Sequence, residues 1–166
     1  MKRTLLFIVI LFVFKAAGSP VNAQHRIAVL PFQNMDGKMK YNIWCYNLQD
    51  SLEKMLVEKD PKELNYIVVP SDSIEIHLAE MNLDPSSPEY ESDMWKVVEE
   101  LEVNRVVSGN FYIQSKRLII NAYVYHTKMK TPHPQHQAKN IFKKESDVYE
   151  AVPIIYKRLK PAILGN

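Results

Sequence analysis

Residues 27–34 read Ile27-Ala28-Val29-Leu30-Pro31-Phe32-Gln33-Asn34, and this stretch, with the helix and strand patterns after it, decides the fold class. The four consecutive apolar residues predict a buried strand over 25–32. Pro31 stops that strand because proline lacks a backbone N–H. A turn is predicted over 34–37, where Asn, Asp and Gly favour a change of direction.

Beyond this strand, apolar residues recur first at helical spacing and later at the alternating spacing of strands. The predicted elements are a helix over 41–58, a strand over 66–69, one helix starting at 71 and a second ending near 101, strands over 105–113, 118–125 and 135–144, and a helix over 146–163. A loop is expected at 131–134, and Pro153 should kink the last helix or mark its start. The order β-α-β-α-α-β-β-β-α predicts an α/β (α+β) fold with a mixed sheet packed by helices.

Residues 1–23 have the composition of a secretory signal peptide. Lys2 and Arg3 precede an apolar run over 4–14, and Val21-x-Ala23 places small side chains where signal peptidase cleaves. The alternative is an uncleaved membrane anchor, but the run is shorter than the ~20 residues that span a bilayer. We expect an exported protein of the periplasm or outer-membrane periphery, with one domain over 24–166.

The single cysteine, Cys45, lies far from the apolar run, so the sequence predicts neither a lipid anchor nor an intramolecular disulfide. We expect Cys45 to be a small buried side chain. Removing Lys2, Arg3 and Lys15 from the 21 basic residues leaves 18 against 19 acidic ones, a formal charge of −1. A nearly neutral domain has no electrostatic basis for binding nucleic acid.

Three strings resemble the TolB amino-terminal domain superfamily, which includes envelope proteins such as CsgG, FlgO and LpoB. They are the apolar run ending in Pro31-Phe32, the Leu-x-x-x-Leu pattern of 48–52, and the passage over 101–109 that ends in Gly109. Asn47 departs from the glycine of many relatives. The resemblance implies a TolB amino-terminal-like domain that contacts another protein at the cell envelope. It implies no catalytic residue and no cofactor.

The resulting hypothesis is a non-catalytic accessory or assembly protein that binds another envelope protein. One alternative is an envelope enzyme such as a hydrolase, although the chain has no Gly-x-Ser-x-Gly elbow and no glycine-rich phosphate loop. A second alternative is a subunit of a CsgG-like homo-oligomer.

Two groups of residues are candidates for a site. His126, His133 and His136 cluster near one loop and are only weak metal candidates, because zinc needs three or four ligands and no carboxylate or thiolate lies nearby in the sequence. A polar, solvated hairpin tip is the favoured interpretation. Tyr112, Tyr123 and Tyr125 are candidates for a partner-binding stripe, with cross-strand packing as the alternative. Gly109 marks either a bulge or a close approach by a packed neighbour, and close packing is favoured.

Overall fold

The computed structural model describes residues 24–165, so the predicted signal peptide lies outside the described residues. The strands are β1 (His25–Val29), β2 (Gln33–Asn34), β3 (Tyr66–Val69), β4 (Arg105–Gln114), β5 (Arg117–His126) and β6 (Thr131–Lys143). The helices are α1 (Ile43–Lys59), α2 (Ser71–Glu80), α3 (Tyr90–Glu100) and α4 (Ala151–Leu164). Short 3₁₀ turns at Met39–Tyr41 and Glu145–Glu150 precede α1 and α4. Apart from the two-residue β2, the order is the predicted one.

The strands form one mixed sheet with the order β3-β1-β4-β5-β6, and β2 pairs with β4 beside this path. β1 runs parallel to β3 and β4, whereas β4, β5 and β6 form an antiparallel meander. Alternation of strands and helices early in the chain requires parallel neighbours, and the tight turn at 115–116 requires an antiparallel pair. The predicted mixed sheet with packed helices is confirmed.

The two faces of the sheet are covered unequally. α1 and α4 pack on the first face and bury the larger apolar core, which includes Val107, Phe111 and Leu118. α2 and α3 pack on the second face and bury a smaller core that includes Val106 of β4 and Tyr125 of β5, with the half-buried Tyr123 packed against its margin. Among residues 24–165, no helix packs over the second face of the remainder of β4 and β5 or of β6.

Phe32 and Gly109 form the contact that joins two of the three family-like strings. A Cβ on Gly109 would lie 2.3 Å from Phe32 Cε1 and 2.5 Å from the carbonyl oxygen of Asn121. The pairing of β4 with β5 continues through Gly109 without a bulge. The glycine is thus required by close packing, as predicted, and the aromatic residue after Pro31 is the neighbour that approaches it.

The structure corrects two of the sequence predictions and decides between the two alternatives of a third. β1 ends at Val29 because the chain leaves the ladder soon after it: the Phe32 N–H donates to the Cys45 carbonyl instead of to a strand. The loop predicted at 131–134 is wrong, because these residues belong to β6 at the edge of the sheet, where proline's missing N–H can face away from the ladder. Pro153 lies in the first turn of α4, so it marks the helix start and does not kink it.

Cys45 is buried, as predicted, and burial raises the pKa of its thiol to about 12. None of the helices within 24–165 has both the length and the apolar character needed to cross a membrane.

Candidate functional site

The uncovered part of the second face is the candidate site, and we call it the open face. It is formed by seven residues whose side chains alternate with those of the main core along three strands: Asn110, Tyr112, Ile119, Asn121, Tyr123, Gln137 and Phe142. Because successive side chains of a strand point to opposite faces, these residues point away from α1 and α4. The open face therefore presents ring, aliphatic and amide groups on a rigid sheet.

The first row of the open face is apolar. Tyr112 pairs with Ile119 across β4 and β5, and Ile119 pairs with Phe142 across β5 and β6. Ile119 is only 2% exposed although neither α2 nor α3 covers it, whereas Phe142 is 54% exposed. Cross-strand neighbours of this kind lie close enough to shield one another. The row is thus an aliphatic centre flanked by two aromatic rings, one of them largely open to solvent.

The second row is polar and internally hydrogen-bonded. The Asn121 side-chain amide donates to Asn110 Oδ1 at 2.9 Å, and the backbone N–H of Asn140 donates to Asn121 Oδ1 at 2.9 Å. Asn140 lies in the irregular part of β6 and has a positive φ of 53°. The Asn121 amide therefore ties β4 to the bulged segment of β6 and is held in one orientation.

The third row leads from the open face to the part of the sheet beneath α3. Tyr123 pairs with Gln137 and is half-buried, and the Lys139 ammonium lies 5.6 Å from the centre of its ring. Tyr125 is only 8% exposed and packs edge-to-face against Trp95 of α3, with ring centres 5.5 Å apart. Burial raises the pKa of Tyr125 to about 12.

The structure separates the three tyrosines proposed for partner binding. Tyr112 lies on the open face, Tyr123 lies at its margin and packs partly against the core under α2 and α3, and Tyr125 packs beneath α3 and offers a partner little surface. Phe142 is the residue that sequence reasoning did not single out. Its orientation could have been predicted, because alternation along β6 places it on the face opposite the buried Ile141, but nothing in the pattern showed that α2 and α3 do not reach that part of the sheet.

The edges of the sheet are less suited to pairing with another strand. β6 forms one edge and carries Pro132, Pro134 and register shifts where it pairs with β5. The Arg158 guanidinium also donates to the Lys139 carbonyl at 2.7 Å, which occupies an acceptor of β6. β3 forms the other edge and has four residues. Prolines, bulges and short strands are the usual protections of a sheet edge.

The three histidines proposed as weak metal candidates lie around one end of β5 and β6. The rings of His133 and His136 are 4.8 Å apart, and His126 and His133 line a cavity of about 300 Å³ with Arg105 and Met129. Burial and then the Arg105 charge lower the pKa of His126. Within 24–165, this trio does not bring three metal-ligand atoms within 4.8 Å of one another. The structure thus places His126 and His133 at one cavity and His136 next to His133, and it does not bring the three to a common ligand point.

Comparison with known proteins gives structural matches only. No protein-family model matches the chain, and no curated protein matches it in sequence. The LpoB C-terminal domain from Salmonella enterica matches with a TM-score of 0.50 and 10% identity, over 76% of this chain and 87% of that one. LpoB from Escherichia coli matches with a TM-score of 0.52 and 9% identity, over 75% of this chain and 60% of that one.

TolB from Acinetobacter baumannii matches with a TM-score of 0.47 and 14% identity, over 86% of this chain and 29% of that one. We base the structural conclusion on the two LpoB matches. Because their sequence identity to this chain is so low, they show a shared fold alone. The resemblance inferred from the sequence strings is confirmed at this level: the chain shares the fold of LpoB, one of the proteins that the resemblance includes.

Proposed function

We propose that this protein is a non-catalytic accessory protein of the cell envelope that binds another protein through its open face. The observation that carries the proposal is the apolar row Tyr112–Ile119–Phe142 on a sheet face that α2 and α3 leave uncovered. A fold shared with LpoB and the implied TolB-like relationship support the envelope setting and the periplasm or outer-membrane periphery as the location.

The chemistry of the open face suits contact with a protein. Aromatic rings supply a large contact area at low entropic cost, and they are enriched in the centres of protein interfaces. The Asn110–Asn121 pair lies next to the apolar row and offers amide groups that are already fixed in position. A rigid apolar centre beside oriented amides provides both affinity and directional recognition.

Docking on the face is favoured over addition of a strand at the edge. Strand addition needs a run of free backbone donors and acceptors. β6 lacks two donors at its prolines, and the Arg158 side chain occupies a carbonyl near its bulge. We therefore place the partner across β4, β5 and β6, on the rings, and not alongside β6.

A capture experiment tests this assignment. The tagged protein and a Phe142→Ser variant are used to capture proteins from envelope extracts of the source cells, and partners are identified by mass spectrometry. We expect the variant to lose at least one partner, because the exposed ring of Phe142 would be buried in the contact. The matched control is Ile43→Ser on α1, which removes an apolar side chain of similar exposure from a different surface.

Circular dichroism must show that both variants are folded. Equal capture by wild type, Phe142→Ser and Ile43→Ser would overturn the open-face assignment. If the only partner captured through Phe142 is a second copy of this chain, the homo-oligomer replaces the accessory protein as the better description. Solution mass of the purified wild type and of Phe142→Ser distinguishes these outcomes.

A further inference from the structure

Three potential metal ligands converge between α2 and α3, away from the open face. His77 Nδ1 lies 3.2 Å from Glu100 Oε2 and 3.6 Å from Glu80 Oε2, and the three ligand atoms all lie within 4.8 Å of one another. His77 and Glu80 belong to α2, and Glu100 belongs to α3. We propose that these three side chains bind a Zn²⁺ ion that links the two helices.

The spacing of the ligand atoms fits a tetrahedral ion. Zinc binds imidazole nitrogen and carboxylate oxygen at about 2.0–2.2 Å, so ligand atoms at two corners of the tetrahedron are about 3.3–3.5 Å apart. The two distances from Nδ1, 3.2 and 3.6 Å, bracket that value. Nδ1 is itself buried and makes no hydrogen bond within 24–165, although both carboxylates are close. An ion bound between the three atoms would satisfy the buried nitrogen.

The electrostatics of the two helices also favour a cation at this point. Glu80 is the last residue of α2 and Glu100 is the last residue of α3, so both carboxylates lie where the helix dipole is negative. Within the described part of the chain, neither carboxylate has a Lys or Arg nitrogen within 4 Å, and α3 has no basic residue in its last turn. The arrangement concentrates negative potential that a divalent cation would neutralise.

The ligand types select the metal. An imidazole ligand with two carboxylates suits Zn²⁺, whereas Ca²⁺ and Mg²⁺ prefer oxygen ligands throughout. Three protein ligands leave a fourth position for water. Bound in this way, the ion would tie the C-terminal ends of α2 and α3 together and hold α3, with Trp95, against the sheet.

Thermal unfolding of the full chain, produced without a histidine tag and freed of metal with a chelator, tests the site. Zn²⁺ at about ten times its dissociation constant should raise the unfolding midpoint by about 3–5 °C, because it binds the folded state, while Mg²⁺ should not. Calorimetric titration should show one Zn²⁺ per chain. Glu100→Gln, which keeps the side-chain size, and His77→Ala should both remove the shift.

Two controls distinguish this site from other zinc-binding side chains. Glu99→Gln removes a neighbouring carboxylate that pairs instead with Lys130, and it should keep the zinc response. His133→Ala alters the histidines around the end of β5 and β6 and should also keep it. The proposal is overturned if zinc does not stabilise the wild type, or if the response survives Glu100→Gln and His77→Ala or disappears in His133→Ala.

Discussion

The two faces of the central sheet use the same strands for different purposes. Under α1 and α4, β4 and β5 present Val107, Phe111, Leu118 and Ile120, all fully buried. The opposite side chains of the same strands include Asn110, Tyr112, Asn121 and Tyr123, which remain partly accessible. The first face therefore supplies most of the stability. On the second face, the side chains that lie beyond α3 contribute less to the core and are available to bind a partner. This difference predicts that stability and binding can be altered separately.

The largest loss of stability should come from Tyr125, at the boundary between the two regions. Tyr125→Ser removes a nearly buried ring from its contact with Trp95, and we expect a loss of about 3 kcal/mol in the free energy of unfolding. Tyr123→Ser, one step further onto the open face, should cost less than half as much. Denaturant unfolding measures the free energy of unfolding of both variants. Equal losses would show that the end of α3 is not the boundary between a buried and an open part of the second face.

A smaller loss should result from Gly109→Ala on the first face. The added Cβ would meet Phe32 and the Asn121 carbonyl at 2.3 and 2.5 Å, so the backbone or the ring must move. We expect a loss of about 2 kcal/mol, typical of overpacking. In a Phe32→Leu background the same change should cost less, because one of the two colliding groups has become smaller. An unchanged denaturant midpoint for Gly109→Ala would contradict the close packing.

The smallest effect on stability should be that of Phe142→Ser. The ring is already largely exposed and none of the helices within 24–165 packs on it, so we expect a change within about 0.5 kcal/mol. Denaturant unfolding, with Ile141→Ser as the buried neighbour for comparison, is the measurement. A loss of unfolding free energy as large as that of Ile141→Ser would mean that Phe142 belongs to the core. It would contradict the conclusion that the two faces of the sheet differ in their contribution to stability.

Much of the fold could be predicted because local patterns determine it. The sequence places Leu48, Leu52 and Leu56 of α1, and Val148, Val152 and Ile155 near the start of α4, on inward faces, and all six are buried. The strand over 131–134 could not be predicted because its two prolines have the composition of a loop, and only the edge position of β6 makes them compatible with a strand.

The sites were less predictable because they depend on tertiary arrangement. Sequence alternation identifies which residues share a face of β4 and β5, but the length of sheet that α3 covers is set by helix packing. The pairing of His77 with Glu100 could not be predicted for the same reason. In the sequence, His77 belongs to the apolar face of one helix and Glu100 to a solvated acidic segment at the end of another. Only the approach of α2 to α3 brings them together.

The contact of Phe32 with Gly109 has a consequence for how the chain finds its sheet register. A slip of one residue between β1 and β4 would turn side chains that pack under α1 and α4 towards α2 and α3, and the reverse, and is therefore strongly disfavoured. A slip of two residues keeps every side chain on its own face of the sheet, so side-chain alternation alone does not prevent it. Such a slip would place the side chain of Val107 or Phe111 beneath the Phe32 ring, where Gly109 has only a hydrogen atom. Neither side chain leaves room for the ring. The single glycine of β4 thus selects the register of the sheet. Phe32 can pack on β4 only at Gly109, and the two nearest registers that keep the same faces are excluded by steric clash.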